Sequence, residues 1–393
     1  MAGGEFGRPG LIDEDERPDR GSGAARLPAF LPALASRAEP RSIVAHDEDA
    51  ERWGDTVTQG DTASAPPSLA ALGWTDFFAD QCEPDDACLR PARIDSVHRA
   101  RMSAITPDGP IRLKLPVHTN TGDFTVGDWV LVEPGTHLLR RRLERATVLA
   151  RRTEGSMTPQ LAGANIDTLF IVTSCNADFN VARLERYLAL ANESGAEPVI
   201  LLTKADLVPD VQPYLDQAAA LQRGLAVATV NPRSSHAAAA FASWCGEGRT
   251  LALVGSSGVG KSTLVNALAG TIDGEPQQTG DIRAHDAKGR HTTTSRSLHA
   301  IACGGWVIDT PGMRTLHVSD AASGLETLFA EITELSPLCR FRDCTHEHEP
   351  GCAVQEAVAK GVIDPERLAR WRKLDLENRA KTPEVKGPRG KRR

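Results

Sequence analysis

The stretch Leu251-Ala-Leu-Val-Gly-Ser-Ser-Gly-Val-Gly-Lys-Ser262 decides the fold of this chain. Its first four residues are a continuous apolar run, as expected of a strand covered on both faces. Its last eight fit the pattern G-x-x-x-x-G-K-[ST], and a helical stretch from Lys261 to Ala269 follows. Strand, glycine-rich turn and helix in this order predict a phosphate-binding loop, because backbone N–H groups and a helix start then face phosphate oxygens. The alternative is a glycine-rich turn that resembles the motif by chance, and such a turn would not need a strand before it and a helix after it.

The phosphate loop assigns roles to single residues. Lys261 is predicted to bridge the β- and γ-phosphates of a nucleotide, and Ser262 to ligate Mg²⁺. The loop alone does not distinguish ATP from GTP. The residues predicted to surround the phosphates are Gly255, Ser256, Ser257, Gly258, Val259, Gly260, Lys261, Ser262 and Thr263.

Residues 154–318 alternate short apolar runs with helical stretches such as Ala182–Ala191, which predicts a doubly wound α/β domain with a mostly parallel sheet. The predicted strands are Thr168–Val172, Val199–Leu202, Leu225–Ala228, Leu251–Val254 and Trp306–Ile308.

Base identity is indicated by Thr203-Lys-Ala-Asp206, which directly follows the strand Val199–Leu202 and has the form [NT]-K-x-D. The Asp206 carboxylate can accept hydrogen bonds from guanine N1–H and N2–H₂, and adenine offers no such pair of donors. Lys204 would lay its aliphatic stem along the base. A salt-bridged loop is the alternative for the tetrapeptide alone, but beside a phosphate loop it favours GTP.

A further motif, Asp309-Thr-Pro-Gly312, follows the strand Trp306–Ile308. Asp309 is predicted to hold Mg²⁺ through water, and the Gly312 N–H to sense the γ-phosphate. The polar loop before it carries Gly289-Arg-His-Thr-Thr-Thr294, in which Thr293 is predicted to complete the magnesium shell, with Thr292 next. Met313 stands where many GTPases have a water-orienting glutamine. His291 is the candidate for that role, and a structural role is its alternative.

The motifs occur in an unusual order: residues 203–206, then 255–262, then 309–312. Since the guanine motif normally comes last, the order predicts a circularly permuted GTPase domain. The loop carrying Asp309 and Gly312 then leads straight into the C-terminal region. We therefore expect loss of the γ-phosphate to be relayed to the segment beyond residue 318.

Charge is unevenly distributed along the 393 residues. The whole chain has a formal charge of −7, which taken alone argues against a nucleic-acid partner. Residues 1–86, however, hold 18 acidic and 7 basic residues, and residues 87–393 hold 34 and 38. The segment 1–68 is rich in Gly, Pro, Ala and Ser, and we predict that it is a disordered acidic extension.

No sequence feature indicates a membrane span or a secretion signal, so we expect a cytoplasmic protein. We also expect it to be a monomer.

Between the extension and the GTPase domain, residues 69–153 show short alternating strands separated by turn signals. This predicts a small β-barrel of the oligonucleotide/oligosaccharide-binding (OB) kind. From residue 87 to 153 the segment holds 12 basic and 6 acidic residues, including Arg140–Arg142. The charge favours a nucleic-acid surface, with a solvated face on a structural barrel as the alternative.

Residues 319–393 contain the spacing Cys339-x4-Cys344-x-His346-x5-Cys352. Three thiolates and one imidazole suit one tetrahedral, structural Zn²⁺, with no position open for a catalytic water. The other five cysteines are scattered, and buried thiols are the expectation for them. Residues 366–393 hold 11 basic and 4 acidic residues, which predicts a helix and a loose basic tail. The predicted architecture is therefore an N-terminal OB-like barrel, a central circularly permuted α/β GTPase domain and a mainly helical C-terminal zinc domain.

The combination of motifs resembles the family of ribosome small-subunit-dependent GTPases A (RsgA). The matching stretches are Leu184–Leu188, Thr203–Leu207, Gly255–Thr263, Gly289–Thr294, Asp309–Arg314, Cys339–His346 and Glu349–Cys352, within about residues 69–380.

The resemblance implies GTP hydrolysis stimulated by the small ribosomal subunit, a role in late maturation of that subunit, and rRNA contacts through barrel and zinc module. The family's Ser-Ala pair behind the guanine is replaced here by Val230-Asn-Pro-Arg-Ser234, in which Asn231 is the candidate substitute.

Other functions stay open at this point. The chain could act on the large subunit or another structured RNA, or serve as a GTP-gated RNA-binding module in which hydrolysis is incidental. A small-molecule kinase with a phosphate loop would leave both Thr203–Asp206 and the cysteine cluster unexplained.

Overall fold

The computed structural model describes residues 42–43, 67–98, 101–151, 158–232, 234, 241, 243–269, 296–309 and 319–382. Within these ranges the strands are β1 Ser42–Ile43, β2 Arg90–His98, β3 Arg101–Thr106, β4 Gly109–Arg112, β5 Trp129–Val132, β6 Leu139–Arg142, β7 Val148–Arg151, β8 Gln160–Ala164, β9 Thr168–Ser174, β10 Glu197–Thr203, β11 Ala226–Thr229, β12 Thr250–Gly255, β13 Ser297–Ala300 and β14 Trp306–Asp309. The helices are α1 Asp76–Ala79, α2 Val181–Ser194, α3 Gln212–Ala219, α4 Lys261–Ala269, α5 Ala322–Leu328, α6 Ala330–Thr333, α7 Ala353–Ala359 and α8 Pro365–Lys381.

The centre of the molecule is a sheet in the order β1-β11-β10-β9-β12-β14-β13. All neighbours in it run parallel except β13, which is antiparallel to β14. In β10, Val199 and Leu201 belong to the apolar core on one face, and Ile200 and Leu202 to the core on the other. The predicted doubly wound α/β domain is confirmed, because its strands are covered on both sides.

Helix α2 covers one face of this sheet. Its first turn is capped by Asn180, whose side-chain oxygen accepts a hydrogen bond of 2.9 Å from Arg183 N. It ends at Gly195, which has φ +79°, a left-handed conformation that favours glycine. Helix α5 packs closely against it, since a Cβ on Gly324 would lie 2.1 Å from the Ala189 carbonyl oxygen. This contact joins the C-terminal helices to the central domain.

Strands β2 to β6 form an antiparallel array in the order β4-β3-β2-β5-β6. A parallel bridge between Lys114 and Leu138 joins the segment after β4 to the residue before β6, so the array curls back on itself. Its interior is apolar and is filled by Ala92, Ile94, Met102, Ala104, Leu113, Val130, Val132 and Leu139.

The curled array and the central sheet are continuous, because Ser297 in β13 pairs with Ser96 in β2. Strand β13 (Ser-Leu-His-Ala) was not among the strands predicted from apolar runs. It is an antiparallel strand with one buried residue, Leu298, so a search for continuous apolar runs does not detect it.

Arg93 is the largest charged side chain buried in this junction. Its guanidinium donates to the Leu72 carbonyl (2.6 Å), to Thr250 Oγ1 (2.7 Å) and to the Asn165 carbonyl (3.3 Å). Burial lowers the pKa of Arg93 to about 10, partly offset by Asp167, and the group stays cationic at neutral pH. One side chain therefore links β2, the segment before α1 and the first residue of β12.

The predicted boundary between residues 153 and 154 lies outside the described residues, and β7 and β8 on either side of it pair with each other. Most of the predicted disordered extension 1–68 also lies outside them, but Ser42–Ile43 pairs in parallel with β11.

The described C-terminal residues 319–382 contain helices α5 to α8, the segment 339–352 between α6 and α7 is irregular, and no strand is assigned among these residues. Helix α8 begins at Pro365 after Asp364, whose side chain caps Glu366 N. In the parts of the chain that the structure describes, no helix is both long and apolar enough to cross a membrane.

Candidate functional site

The predicted nucleotide residues meet at one edge of the central sheet, where the parallel strands end. The phosphate loop follows β12, Thr203–Asp206 follows β10, and Asp309 is the last residue of β14. Strands β10, β9, β12 and β14 are consecutive neighbours in the sheet. This is the edge at which open α/β sheets bind ligands.

The phosphate loop owes its shape to glycines. Gly255, Gly258 and Gly260 have φ values of +141°, +82° and +99°, a region that other L-residues rarely adopt. A Cβ on Gly255 would lie 2.1 Å from the Val172 carbonyl oxygen. Lys261 Nζ lies over the loop and donates to the carbonyl oxygen of Gly255 at 2.8 Å. The lysine and the loop backbone are therefore together, as the motif predicted.

Thr203 connects the guanine motif to the phosphate loop. Its buried Oγ1 lies 2.7 Å from the Val259 carbonyl oxygen and 3.1 Å from that of Thr173. Lys204 then takes a left-handed conformation with φ +57°, and Asp206 is exposed in a 3₁₀ turn at Ala205–Leu207. The threonine of the motif thus fixes the motif's start against the phosphate loop.

The segment after β11 borders the same site. Val230 N donates to the Leu202 carbonyl oxygen at 2.9 Å. The Cγ of Pro232 lies 3.5 Å from where a Cβ on Gly260 would stand. Asn231 between them is exposed, so it lies next to both the end of β10 and the phosphate loop.

Sequence reasoning missed Arg183, which lies on α2 and donates from Nη1 to the Ser256 hydroxyl of the phosphate loop. It also missed Glu185, which is fully buried and accepts from Arg367 and Arg370 of α8, each at 2.9 Å. A carboxylate between Leu184 and Leu188, on the apolar face of a helix, is the sequence signal that could have revealed this buried ion pair.

The four predicted metal ligands converge. The sulfurs of Cys339, Cys344 and Cys352 and a ring nitrogen of His346 all lie within 4.8 Å of one another. Cys339 Sγ is 3.8 Å from Cys352 Sγ, and these sulfurs are 3.5 and 3.4 Å from His346 Nδ1. A tetrahedral ion with metal–sulfur bonds of about 2.3 Å and metal–nitrogen bonds of about 2.0 Å requires edges of roughly 3.8 and 3.5 Å. The donor set therefore fits one tetrahedral metal ion.

Groups around the cluster orient its ligands. His346 Nε2 lies 3.1 Å from Ser336 Oγ, which donates to the Ile332 carbonyl oxygen at 2.9 Å. Nδ1 is thereby left to face the sulfurs. Burial lowers the pKa of His346, which keeps the ring neutral as a metal ligand must be. Cys352 Sγ accepts from Gln355 N at 3.4 Å and so caps α7.

Glu349 stabilises the loop that carries Cys344 and His346 through hydrogen bonds. Its carboxylate accepts from the Thr345 hydroxyl at 2.6 Å and from the backbone N–H groups of Thr345 and Glu347 at 2.7 and 3.0 Å. These hydrogen bonds, that of the hydroxyl first, hold the pKa of Glu349 well below its usual range.

The basic residues of the barrel differ in their surroundings. Arg140, Arg141 and Arg145 form ion pairs with Glu133, Asp86 and Asp128. By contrast, Arg101, Arg112 and Lys114 are exposed on the outer surface of β3 and β4, around the Ser103–Arg112 pair. These three residues, called the basic face below, form a positive surface, and none of them has an ion pair with a carboxylate among the described residues.

Several predicted residues lie outside the described ranges: His291, Thr292, Thr293, Gly312 and Met313, together with the basic tail beyond residue 382. Asp309 is described as a strand residue only.

Comparison with known proteins agrees with this arrangement. A family model described as "RsgA GTPase" matches residues 142–319. The chain is 68% identical over 329 residues to a Mesorhizobium japonicum protein named "Small ribosomal subunit biogenesis GTPase RsgA", covering 84% of this chain and 95% of that protein. It is 46% identical to a Vibrio vulnificus protein named "Small ribosomal subunit biogenesis GTPase RsgA 2", over 80% and 88% of the two chains.

Two solved structures share the fold. YjeQ from Thermotoga maritima aligns with a TM-score of 0.55 and 25% identity, over 74% of this chain and 98% of that one. YloQ, described as a circularly permuted GTPase, aligns with a TM-score of 0.53 and 22% identity, over 77% and 100%. The predicted permuted GTPase fold is therefore confirmed.

Proposed function

This chain belongs to the RsgA GTPase family, and we propose that it hydrolyses GTP on the small ribosomal subunit, which stimulates the reaction, during late maturation of that subunit. The observation that carries the proposal is the 68% identity to a small-subunit biogenesis GTPase over 95% of that protein. The convergence of phosphate loop, guanine motif and Asp309 at one sheet edge supports it.

In this proposal the phosphate loop holds the triphosphate through its backbone N–H groups, and Lys261 neutralises charge on the β- and γ-phosphates. Residues Gly255 to Thr263 surround the phosphates, and Gly312 N–H senses the last of them. Mg²⁺ bound with GTP would offset negative charge on those phosphates. Ser262 and Thr293 are its proposed ligands, with Asp309 acting through water, and His291 orients the attacking water.

Guanine selectivity is assigned to Asp206, with Lys204 along the base and Thr203 anchoring the turn. Asn231 is proposed to back the base from the other side, because its segment borders both the end of β10 and the phosphate loop.

We assign Zn²⁺ to the cluster of Cys339, Cys344, His346 and Cys352, as a structural ion. Three thiolates with one imidazole form a donor set that zinc favours, and the edges of 3.4 to 3.8 Å among Cys339, Cys352 and His346 suit its bond lengths. Metal analysis should find about one zinc per chain, and replacing Cys344 and Cys352 together should remove it.

The curled array β2–β6 is proposed to be an OB-type barrel that contacts rRNA. Five strands with an antiparallel order and one parallel closing bridge support the first part, and the basic face of Arg101, Arg112 and Lys114 supports the second. The protein is proposed to act as a single copy in the cytoplasm, where ribosomal subunits mature.

Sedimentation with purified subunits tests the partner. In the presence of a non-hydrolysable GTP analogue, the protein should sediment with small subunits and remain in the supernatant with large subunits. Equal sedimentation with both, or with neither, would reject the small subunit as the partner.

A further inference from the structure

Two turns at the opposite edge of the central sheet bring Cys245 and Cys303 together. Cys245 lies in the turn that enters β12, and Cys303 in the turn that enters β14. Trp306 N donates to the Arg249 carbonyl oxygen at 2.7 Å, and Gly248 N donates to that of Gly304 at 3.3 Å. The backbone thus holds the turns together without help from the cysteines.

The two thiols are free, and the paired turns place them close enough to perturb each other's ionisation. Cys303 is exposed and Cys245 is half-buried. The expectation of buried thiols is therefore wrong for Cys303, as it is for Cys82 and Cys88, and it holds for Cys175. The Cys245 thiol donates to Cys303, and with backbone N–H groups of Gly305 and Cys303 itself it lowers the pKa of Cys303 to about 7. The same bond, with burial, raises the pKa of Cys245. One sulfur is therefore an accessible nucleophile at neutral pH, and the other is its protonated neighbour.

We propose that Cys245 and Cys303 form a peroxide-sensitive dithiol that closes reversibly to a disulfide, with Cys303 attacking the peroxide and Cys245 resolving the product. This site is separate from the nucleotide residues and from the metal cluster, and the proposal does not depend on the function proposed above.

The chemistry balances with hydrogen peroxide as the oxidant. The Cys303 thiolate attacks one peroxide oxygen, so an S–O bond forms, the O–O bond breaks, and the departing hydroxide is protonated to water. Cys245 sulfur then attacks the sulfur of the Cys303 sulfenic acid. The S–S bond forms, the S–O bond breaks, and the leaving hydroxide takes the Cys245 proton to give a second water. Two thiols are oxidised by two electrons, and one peroxide is reduced to two waters.

The disulfide would protect Cys303. A lone sulfenic acid with access to more peroxide proceeds to sulfinic and sulfonic acids, which thiols do not reduce. Because the backbone hydrogen bonds between the two turns hold the partner cysteine close by, the sulfenic acid is captured first. The bond also lies at the amino ends of β12 and β14, away from the phosphate loop and Asp309 at their carboxyl ends.

Peptide mapping tests the pair directly. Trypsin releases Cys245 in residues 234–249 and Cys303 in residues 297–314, and each peptide contains one cysteine. The three cluster cysteines fall in other peptides, so loss of metal from them does not affect the result. After treatment of the full-length protein with hydrogen peroxide and alkylation of free thiols, these two peptides should be found joined by a disulfide, and dithiothreitol should restore both thiols.

Two single variants separate the roles of the sulfurs. In Cys245→Ser, the Cys303 sulfenic acid should be trapped when dimedone is present, and without dimedone it should accumulate as sulfinic acid that dithiothreitol does not reverse. In Cys303→Ser, Cys245 should remain a free thiol under the same treatment. The proposal is overturned if the wild-type peptides stay unlinked, or if the two variants oxidise at the same rate.

Discussion

At the scale of single residues, Asp206 carries the choice of base. Its carboxylate is exposed in the turn after β10, and the two hydrogen bonds proposed to guanine depend on its charge. Asp206→Asn should weaken GTP binding by about 100-fold, since charged hydrogen bonds contribute about 1.5 kcal/mol or more each, and should favour xanthosine triphosphate. Competition binding with both nucleotides measures this change.

The matched control for that experiment is Asp210→Asn, four residues further along and also exposed, which should keep the preference for GTP. Unaltered selectivity in Asp206→Asn would remove the guanine assignment.

Ser336 tests the surroundings of the metal cluster. Because its hydroxyl engages His346 Nε2 and orients the ring, Ser336→Ala should weaken zinc retention by about ten-fold. Competition with a chromophoric chelator measures this loss, and the exposed Ser323→Ala serves as control. Equal zinc affinity in the two variants would mean that Ser336 does not orient the ligand.

The residues of the phosphate loop and of the metal cluster could be predicted from sequence, because each function requires a local pattern. Gly255–Ser262 and Cys339–Cys352 are short stretches whose spacing is fixed by a phosphate or a metal ion. Arg93 could not be assigned in this way. Its three acceptors lie on Leu72, Asn165 and Thr250, and only the folded chain brings them together.

At the scale of elements, α2 connects the nucleotide site to the C-terminal domain. Within about one turn it presents Arg183 to the phosphate loop, and Glu185 and Arg186 to α8. Arg186 pairs with Glu377 at 2.8 Å. The sequence predicted that loss of the γ-phosphate is relayed from Asp309 and Gly312 to the segment beyond residue 318. Residues 310–318 on that path lie outside the described residues. Helix α2 provides a second connection between the nucleotide site and the C-terminal domain.

The buried pair on α2 should be a major source of stability. Glu185→Gln removes the negative charge that pairs with Arg367 and Arg370 at a fully buried position. Because these arginines then lack a counter-charge, we expect the free energy of unfolding to fall by about 3 kcal/mol. Glu366→Gln is the control, because Glu366 pairs with the same Arg370 but its side chain is 87% exposed, and the change should cost less than about 0.5 kcal/mol.

Urea denaturation of both variants gives the comparison. If Glu185→Gln were no less stable than Glu366→Gln, the buried pair would not join the two domains energetically.

The strands also show which secondary structure apolar patterns can predict and which they cannot. Strands β9, β10 and β12 were predicted because burial on both faces requires continuous apolar residues. Strand β13 has a mixed composition, and its place is decided by pairing with β14 and β2, which lie far away in sequence.

At the scale of the whole molecule, the charge of −7 is an average over unlike parts. The acidic excess lies before residue 87, where 18 acidic residues face 7 basic ones. In the barrel, some arginines pair with carboxylates and others do not. The three residues of the basic face are exposed and have no ion pair with a carboxylate among the described residues; Arg142, at the end of β6, is a further exposed barrel arginine of this kind.

This division predicts how binding to the small subunit depends on salt. Arg101→Gln with Arg112→Gln should weaken binding and reduce the slope of log affinity against log salt by about 1.5, because two phosphate contacts are lost. Arg140→Gln with Arg141→Gln should leave the slope nearly unchanged, since both arginines already pair with carboxylates. Binding titrations at several salt concentrations distinguish the pairs, and identical slopes would exclude the basic face from the interface.

The most direct test of the central claim is the rate of GTP turnover by the purified full-length protein with small ribosomal subunits, with large subunits, and alone. With Met313 in place of a water-orienting glutamine, turnover by the protein alone should be slow. Small subunits should raise it by about ten-fold or more, and large subunits should leave it unchanged. Turnover that small subunits do not raise would contradict the assignment of this chain as a GTPase acting on them.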